Sequence, residues 1–94
     1  MNKTKDNPNE INVDYELSLF KERFISLRKQ NKLTQAELAD ELEITRSLLA
    51  SWETGRRIPD AIHLVMISRF FNISIDYLLG ISDSKQKSFK FLKD

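Results

Sequence analysis

The side chains best suited to contacting a polar ligand lie in one short stretch, TRSLLASWETGRR, residues 45–57. Arg46 and Ser47 stand near its start, and Arg56 and Arg57 end it. An arginine offers two parallel N–H donors, which match paired acceptors on a base edge or on a phosphate. A serine hydroxyl adds a group that both donates and accepts hydrogen bonds. Such donors require an element that carries them outward at a fixed spacing.

Residues for catalysis or metal binding are scarce. His63 is the single histidine, cysteine is absent, and there is no glycine-rich phosphate loop. A zinc site needs several histidine or cysteine ligands, and nucleophilic catalysis needs a nucleophile beside a base. We therefore expect a protein that is not an enzyme and that has no cofactor and no metal.

Composition favours one small helical domain. The chain has 94 residues, of which 40% are hydrophobic, with only two glycines and two prolines. A strand-and-turn architecture needs more turn residues than that. The N-terminal residues lack the apolar centre of a signal peptide, and no apolar run approaches the ~18 residues that span a membrane. We expect a cytoplasmic protein without a membrane partner.

Charge is distributed unevenly along the chain. The formal net charge is +1, which by itself does not suggest a polyanionic partner. Residues 1–17 are net acidic, whereas residues 81–94 hold four lysines against two aspartates. Residues 18–80 are nearly balanced, so a basic surface depends on where their nine cations point.

The elements that position the polar stretch are two short amphipathic runs, each preceded by a threonine. Thr34 precedes QAELADEL, and Glu37 completes a capping-box pattern with it. Thr45 precedes RSLLASWE, and Gly55 ends that run. Helices of about two turns are marginal alone and must be held by packing. Two of them joined by so short a turn predict a helix-turn-helix, whose second helix enters a DNA major groove.

Periodicity predicts three further helices and no strands. The predicted elements are Tyr15–Gln30 ended by Asn31, Asp60–Phe71 ended by Asn72, and a short turn IDYLL between Ser74 and Gly80. The expected organisation is a polar N-terminal arm (1–16), a helical domain (17–80) and a basic C-terminal tail (81–94). The tail can be a basic extension, a dimerisation helix using Phe89, Phe91 and Leu92, or a partner-binding segment.

Five pieces of this sequence occur in an order that resembles the Cro/C1-type (XRE-like) helix-turn-helix domain of phage repressors and bacterial regulators. They are LRKQNKLTQAELA, ITRS, SWETGRR, IPD and NISIDYLLG, within residues 20–80. The resemblance implies an all-α, compact five-helix lambda-repressor-like fold. It also implies a dimer that binds a palindromic operator. The sequence departs from the family at Lys32, where glycine is frequent, so the turn there must depend on Asn31 or on a strained lysine.

The resemblance also implies roles for individual residues. The recognition helix is residues 46–54, and the expected DNA contacts are Gln35, Arg46, Ser47 and Ser51, with phosphate contacts from Arg56 and Arg57. Leu48 can meet a thymine methyl or belong to the core. Arg28 is expected to pair with Glu53 rather than to contact DNA, and Trp52 is expected in the core.

The expected function is therefore a sequence-specific regulator, most simply a transcriptional repressor, whose partners are double-stranded DNA and a second copy of itself. An antirepressor or a toxin is a possible protein partner. The alternative function is a protein-interaction module, such as an antitoxin or an adaptor, that uses the same helices. The near-neutral charge and Leu48 support that alternative.

Overall fold

The computed structural model describes the backbone of residues 13–86 and the side chains of residues 18–86, and this part of the chain contains five helices. The helices are α1 Val13–Gln30, α2 Gln35–Glu41, α3 Arg46–Thr54, α4 Ala61–Phe71 and α5 Ile75–Leu79. Residues 13–86 include no strand, which confirms the all-α prediction. Because α1 begins at Val13, the predicted boundary between arm and domain falls inside this helix.

Helices α2, α3 and α5 begin after the predicted capping residues, and Asp60, predicted as the first residue of α4, is its N-cap. The Thr34 hydroxyl accepts the Glu37 N–H at 3.0 Å, and the Thr34 N–H donates to Glu37 Oε1 at 2.9 Å. The capping box is therefore complete. The side chains of Thr45, Asp60 and Ser74 cap α3, α4 and α5 in the same way. At α4 the backbone N–H of His63 donates to the Asp60 carboxylate and lowers the pKa of Asp60.

Helix ends follow the prediction at three of four positions. Gly55, Asn72 and Gly80 adopt the left-handed conformation after α3, α4 and α5. Of the two alternatives for the turn after α1, the strained lysine is confirmed, because Lys32 and not Asn31 is left-handed, with φ of 57°. The Lys32 N–H donates to Lys29 O at 2.9 Å. The chain therefore accepts a strained lysine where glycine would fit without steric strain.

We expect Lys32→Gly to stabilise the protein by about 0.5–1 kcal/mol. The left-handed conformation costs an L-residue roughly 1–2 kcal/mol, and the substitution removes this cost. Part of the gain is lost because glycine gives the unfolded chain more conformational freedom. Lys29→Gly is the matched control, because Lys29 lies within α1 and glycine there is destabilising. Urea unfolding measures both variants. Equal losses of stability for the two would show that the strain at Lys32 is negligible.

The core forms where α1, α2 and α3 meet and continues to α4 and α5. Its buried members are Phe20, Phe24, Leu27, Leu38, Ala39, Leu42, Leu49, Trp52, Ile67, Ile73 and Leu78. The Phe24 ring meets the Trp52 indole edge-on at 5.8 Å, which confirms Trp52 as a core residue. The helical spacing of α4 would favour Phe70 as a core residue together with Ile67, but Phe70 is 39% exposed on the outer side of the helix.

Residues 81–86 are bound to the helical domain, beyond its predicted end at Gly80. The Arg23 guanidinium donates to Tyr77 O at 2.6 Å, to Ser82 O at 2.9 Å and to Asp83 Oδ1 at 2.9 Å. Its Cζ also lies 4.2 Å from the centre of the Tyr77 ring. This arginine fixes the path of the chain after α5. The tail residues Phe89, Phe91 and Leu92 lie outside the described residues, as does most of the N-terminal arm.

Candidate nucleic-acid interface

The helix-turn-helix consists of α2, residues 42–45 and α3. Ile44 N–H donates to Ala39 O at 2.9 Å, and Glu43 in the turn is left-handed with φ of 58°. The apolar sides of α2 and α3 face each other and the core, through Leu38 and Leu49, both fully buried. The outer side of α3 is consequently free to meet a ligand.

The exposed stripe of α3 begins with Arg46 and Ser47. Both residues are exposed, and Ala50 and Thr54 continue the same side toward the end of the helix. Thr54 was not predicted as a contact, although its position two turns after Ser47 places it on this stripe. A cation in the first turn faces the positive pole of the helix, so Arg46 gains nothing from the dipole. Its exposure presents the guanidinium to a ligand instead.

Two predicted contact residues of α3 turn away from this stripe. Ser51 is buried at 7% exposure, and its hydroxyl donates to Leu48 O at 2.6 Å. Leu48 is half-buried and packs against the core. The hydroxyl of Ser51 therefore already has its acceptor within the helix. Ser51 thus lies off the exposed stripe and Leu48 is half-buried at its margin, and the DNA contacts assigned to them stay predictions.

The side chain of Gln35 is fixed by a hydrogen bond to a carboxylate. Its Nε2 donates to Glu53 Oε1 at 2.9 Å, across 18 residues of sequence. A carboxylate only accepts hydrogen bonds, so the amide nitrogen of Gln35 must face Glu53. The contact joins the first residue of α2 to α3 and fixes the relative position of the two helices. Gln35 stays half-buried, with a second N–H beyond this bond.

Arg28 makes the predicted pair with Glu53. Its Nε and Nη2 donate to the two carboxylate oxygens at 2.7 and 3.0 Å, and its Nη1 donates to Leu33 O at 2.8 Å. The hydrogen bond to Glu53 raises the pKa of Arg28. Both side chains are largely buried, at 12% and 6% exposure. Glu53, the one acidic residue of α3, is thereby neutralised, and Arg46 sets the charge of the exposed stripe.

The loop after α3 presents two further cations. The backbone N–H groups of Arg56 and Arg57 both donate to Ser51 O, at 2.9 and 3.1 Å, while their side chains are exposed. Lys21 of α1 joins this end of α3: a Cβ placed on Gly55 would lie 3.1 Å from Lys21 Cδ. The position of Lys21 could not be predicted from sequence spacing, because only the packing of α1 on α3 places it near the end of α3.

Other kinds of site lack support in the part of the chain that the structure describes. No group of three or more histidine, aspartate or glutamate residues there is close enough to hold a metal ion. None of the described helices is long and apolar enough to cross a membrane. Exposed polar side chains instead cluster on α3 and in the loop after it. The fold and this surface together define a helix-turn-helix protein.

Comparison with known proteins agrees with this class. The profile of the family described as "Helix-turn-helix" matches residues 25–78, from α1 through most of α5. The chain therefore belongs to the Cro/C1-type (XRE-like) helix-turn-helix family.

Several relatives are similar to this domain. An uncharacterized HTH-type transcriptional regulator of Bacillus subtilis, YqaE, is 43% identical over 77% of this chain and 61% of its own. The transcriptional repressor RstR of the cryptic phage CTXphi in Vibrio cholerae is 40% identical over 64% of this chain and 54% of its own. The transcriptional activator BcrR of Enterococcus faecalis is also 40% identical, over 65% of this chain and 30% of its own. The chain thus spans 30–61% of these relatives.

A solved structure shares the fold. The SOS-response transcriptional repressor LexA from Eubacterium rectale superposes with a TM-score of 0.67 over 73% of each chain, at 23% sequence identity. At this sequence identity the likeness concerns the fold alone.

Proposed function

We propose that this protein is a sequence-specific DNA-binding transcriptional regulator, most simply a repressor that binds a palindromic operator as a homodimer. The observation that carries the proposal is the exposed stripe of α3, which begins with Arg46 and Ser47 while the remaining sides of the helix are packed. An α-helix fits the major groove of B-DNA, and its N-terminal side chains meet the base edges. Relatives named as a transcriptional repressor and a transcriptional activator support the same class of function.

The proposed roles follow the exposure of each residue. Arg46 donates two hydrogen bonds to O6 and N7 of a guanine, and Ser47 adds a hydroxyl beside it. Arg56 and Arg57 contact phosphates next to the groove. Gln35 donates its second N–H to a phosphate while Glu53 holds the first. Because Ser51 is buried and Leu48 is half-buried against the core, the proposed set of contacts includes neither.

Selection of bound sequences from a random duplex library tests the proposal. We expect enrichment of a palindrome whose half-sites lie about 34 Å, or one helical turn, apart. Enrichment of single half-sites alone would contradict dimeric binding. Lack of binding to any duplex, even at ~50 mM salt, would contradict DNA binding altogether, since non-specific binding depends on phosphate charge. That result would favour a protein-interaction module such as an antitoxin.

Arg57→Ala is expected to weaken binding to all duplexes alike and to lower the slope of log affinity against log salt by about one. Removing one phosphate contact releases one counterion fewer on binding, and base preference does not depend on it. Lys85→Ala is the matched control: it also removes one cation, but Lys85 follows α5 and lies beside Tyr77, not in the loop after α3. A salt titration on operator and random duplex measures both variants. An unchanged slope for Arg57→Ala would contradict the phosphate contact.

A further inference from the structure

Helix α4 has an apolar surface on its outer side as well as on its inner side. Its sequence AIHLVMISRFF contains no acidic residue and one arginine, Arg69. Ile67 is fully buried, yet Ile62 is 69% exposed on the opposite side. A surface helix normally has a polar outer side, and a helix that is apolar all round is normally buried. The outer side of α4 therefore has the composition of a covered surface.

The exposed apolar residues are concentrated on this helix. Ile62, Val65 and Phe70 of α4 are three of the five large hydrophobic residues that are exposed in the described part of the chain. Ile62 and Val65 are one turn apart and share one side with Arg69. Met66 is half-buried at the margin of that side. We call Ile62, Val65 and Arg69, with Met66, the outer face of α4.

Charges at the two ends of α4 are opposite. Asp60 caps the N-terminal end with a side chain that is 68% exposed, and Arg69 lies in the last turn. Among the described residues, Asp60 pairs with His63, and no carboxylate pairs with Arg69. An antiparallel second copy of α4, with a two-fold axis between Val65 and Met66, would place Arg69 opposite Ile62. Asp60 of that copy then lies two residues, or about 3 Å, further along the axis.

We propose that the outer face of α4 is a self-complementary interface on which a second copy of this chain packs its own α4 in antiparallel orientation. Two-fold packing requires a surface that complements itself, and an apolar centre flanked by opposite charges meets this requirement. Antiparallel helices also place unlike dipole ends together. The inference rests on the proposed homodimer and names the surface that forms it. One helix face buries less than the ~800 Å² per partner of a standard interface, so the dimer is weak without DNA.

Cysteine cross-linking of the full chain tests the orientation, because the natural sequence has no cysteine. Val65→Cys, next to the axis, is expected to form a disulfide-linked dimer under mild oxidation. Ile62→Cys and Arg69→Cys are each expected to cross-link poorly alone and well when mixed. Ile81→Cys, at the same exposure as Ile62 but outside α4, is the control and should stay monomeric. Cross-linking of Ile62→Cys with itself would instead indicate parallel helices and overturn the proposal.

A second variant tests the energetics without cysteine. Ile62→Lys is expected to weaken self-association in sedimentation equilibrium by about tenfold or more, because each dimer buries the new charge twice. Since Ile62 is exposed, the thermal midpoint of the monomer should not change. A chain that stays monomeric at all concentrations and gives no Val65→Cys product would overturn the pairing, leaving residues 87–94 or another protein to cover the face. The selection of bound duplexes gives an independent result. If the protein binds DNA but Val65→Cys does not cross-link, only the α4 interface is rejected. If Val65→Cys cross-links but the protein binds no duplex, only the proposed function is rejected.

Discussion

Glu53→Ala is expected to destabilise the protein by about 3–5 kcal/mol, because it leaves the Arg28 charge buried without its carboxylate. Arg28 and Glu53 are both largely buried, and two hydrogen bonds of 2.7 and 3.0 Å join them. The same substitution removes the acceptor of Gln35. A loss of this size is a large part of the 5–15 kcal/mol that stabilises an ordinary domain. The variant is therefore expected to be partly unfolded at physiological temperature.

Urea unfolding, followed by the fluorescence of Trp52, measures this loss, because Trp52 is the single tryptophan and lies in the core. Glu22→Ala removes an exposed carboxylate of α1 and is the matched control, with an expected change within about 0.5 kcal/mol. The double variant Arg28→Met, Glu53→Leu should recover much of the loss, since apolar residues often replace a buried pair at little cost. A loss below about 1 kcal/mol for Glu53→Ala would show that water reaches and screens the pair.

Arg46→Ala is expected to weaken operator binding by about 1–3 kcal/mol and to abolish the preference at one base pair of each half-site. The physical reason is the loss of a bidentate contact that only the correct base can complete. Because Arg46 is exposed, its removal should leave the unfolding free energy unchanged. Reduced binding in this variant would then report the interface and not the fold.

Arg46→Lys separates base readout from charge. Lysine keeps the positive charge but lacks the planar fork of donors. We expect Arg46→Lys to keep the wild-type salt dependence of DNA binding but to show a reduced preference for the base that Arg46 contacts. Library selection with both variants gives the readout, and a double substitution with Arg57→Ala shows whether the two losses add. Operator preferences identical to those of the wild type would assign sequence recognition to other residues of the exposed stripe, such as Ser47 or Thr54.

Local interactions of this protein are readable from its sequence. The capping residues Thr34, Thr45, Asp60 and Ser74 each bind an N–H three residues further on, so their effect needs no knowledge of the rest of the chain. Gly55 and Gly80 end helices because glycine adopts positive φ without steric cost. The apolar spacing between these signals determined five helices, most of the core and the helix-turn-helix. The family resemblance added the Arg28–Glu53 pair, which the structure confirms.

Tertiary packing decided which side chains of those helices reach solvent. Ser51 of α3 is buried, and Leu48 of the same helix is half-buried against the core. Gln35 is bound to Glu53 across 18 residues, and Arg23 to Tyr77 across 54, contacts for which spacing gives no signal. The apolar outer face of α4 likewise can be identified only after the structure shows which side of α4 packs on the core. Periodicity identifies a helix and its apolar residues, whereas exposure depends on neighbours that are distant in sequence, and those are fixed only when the helices pack.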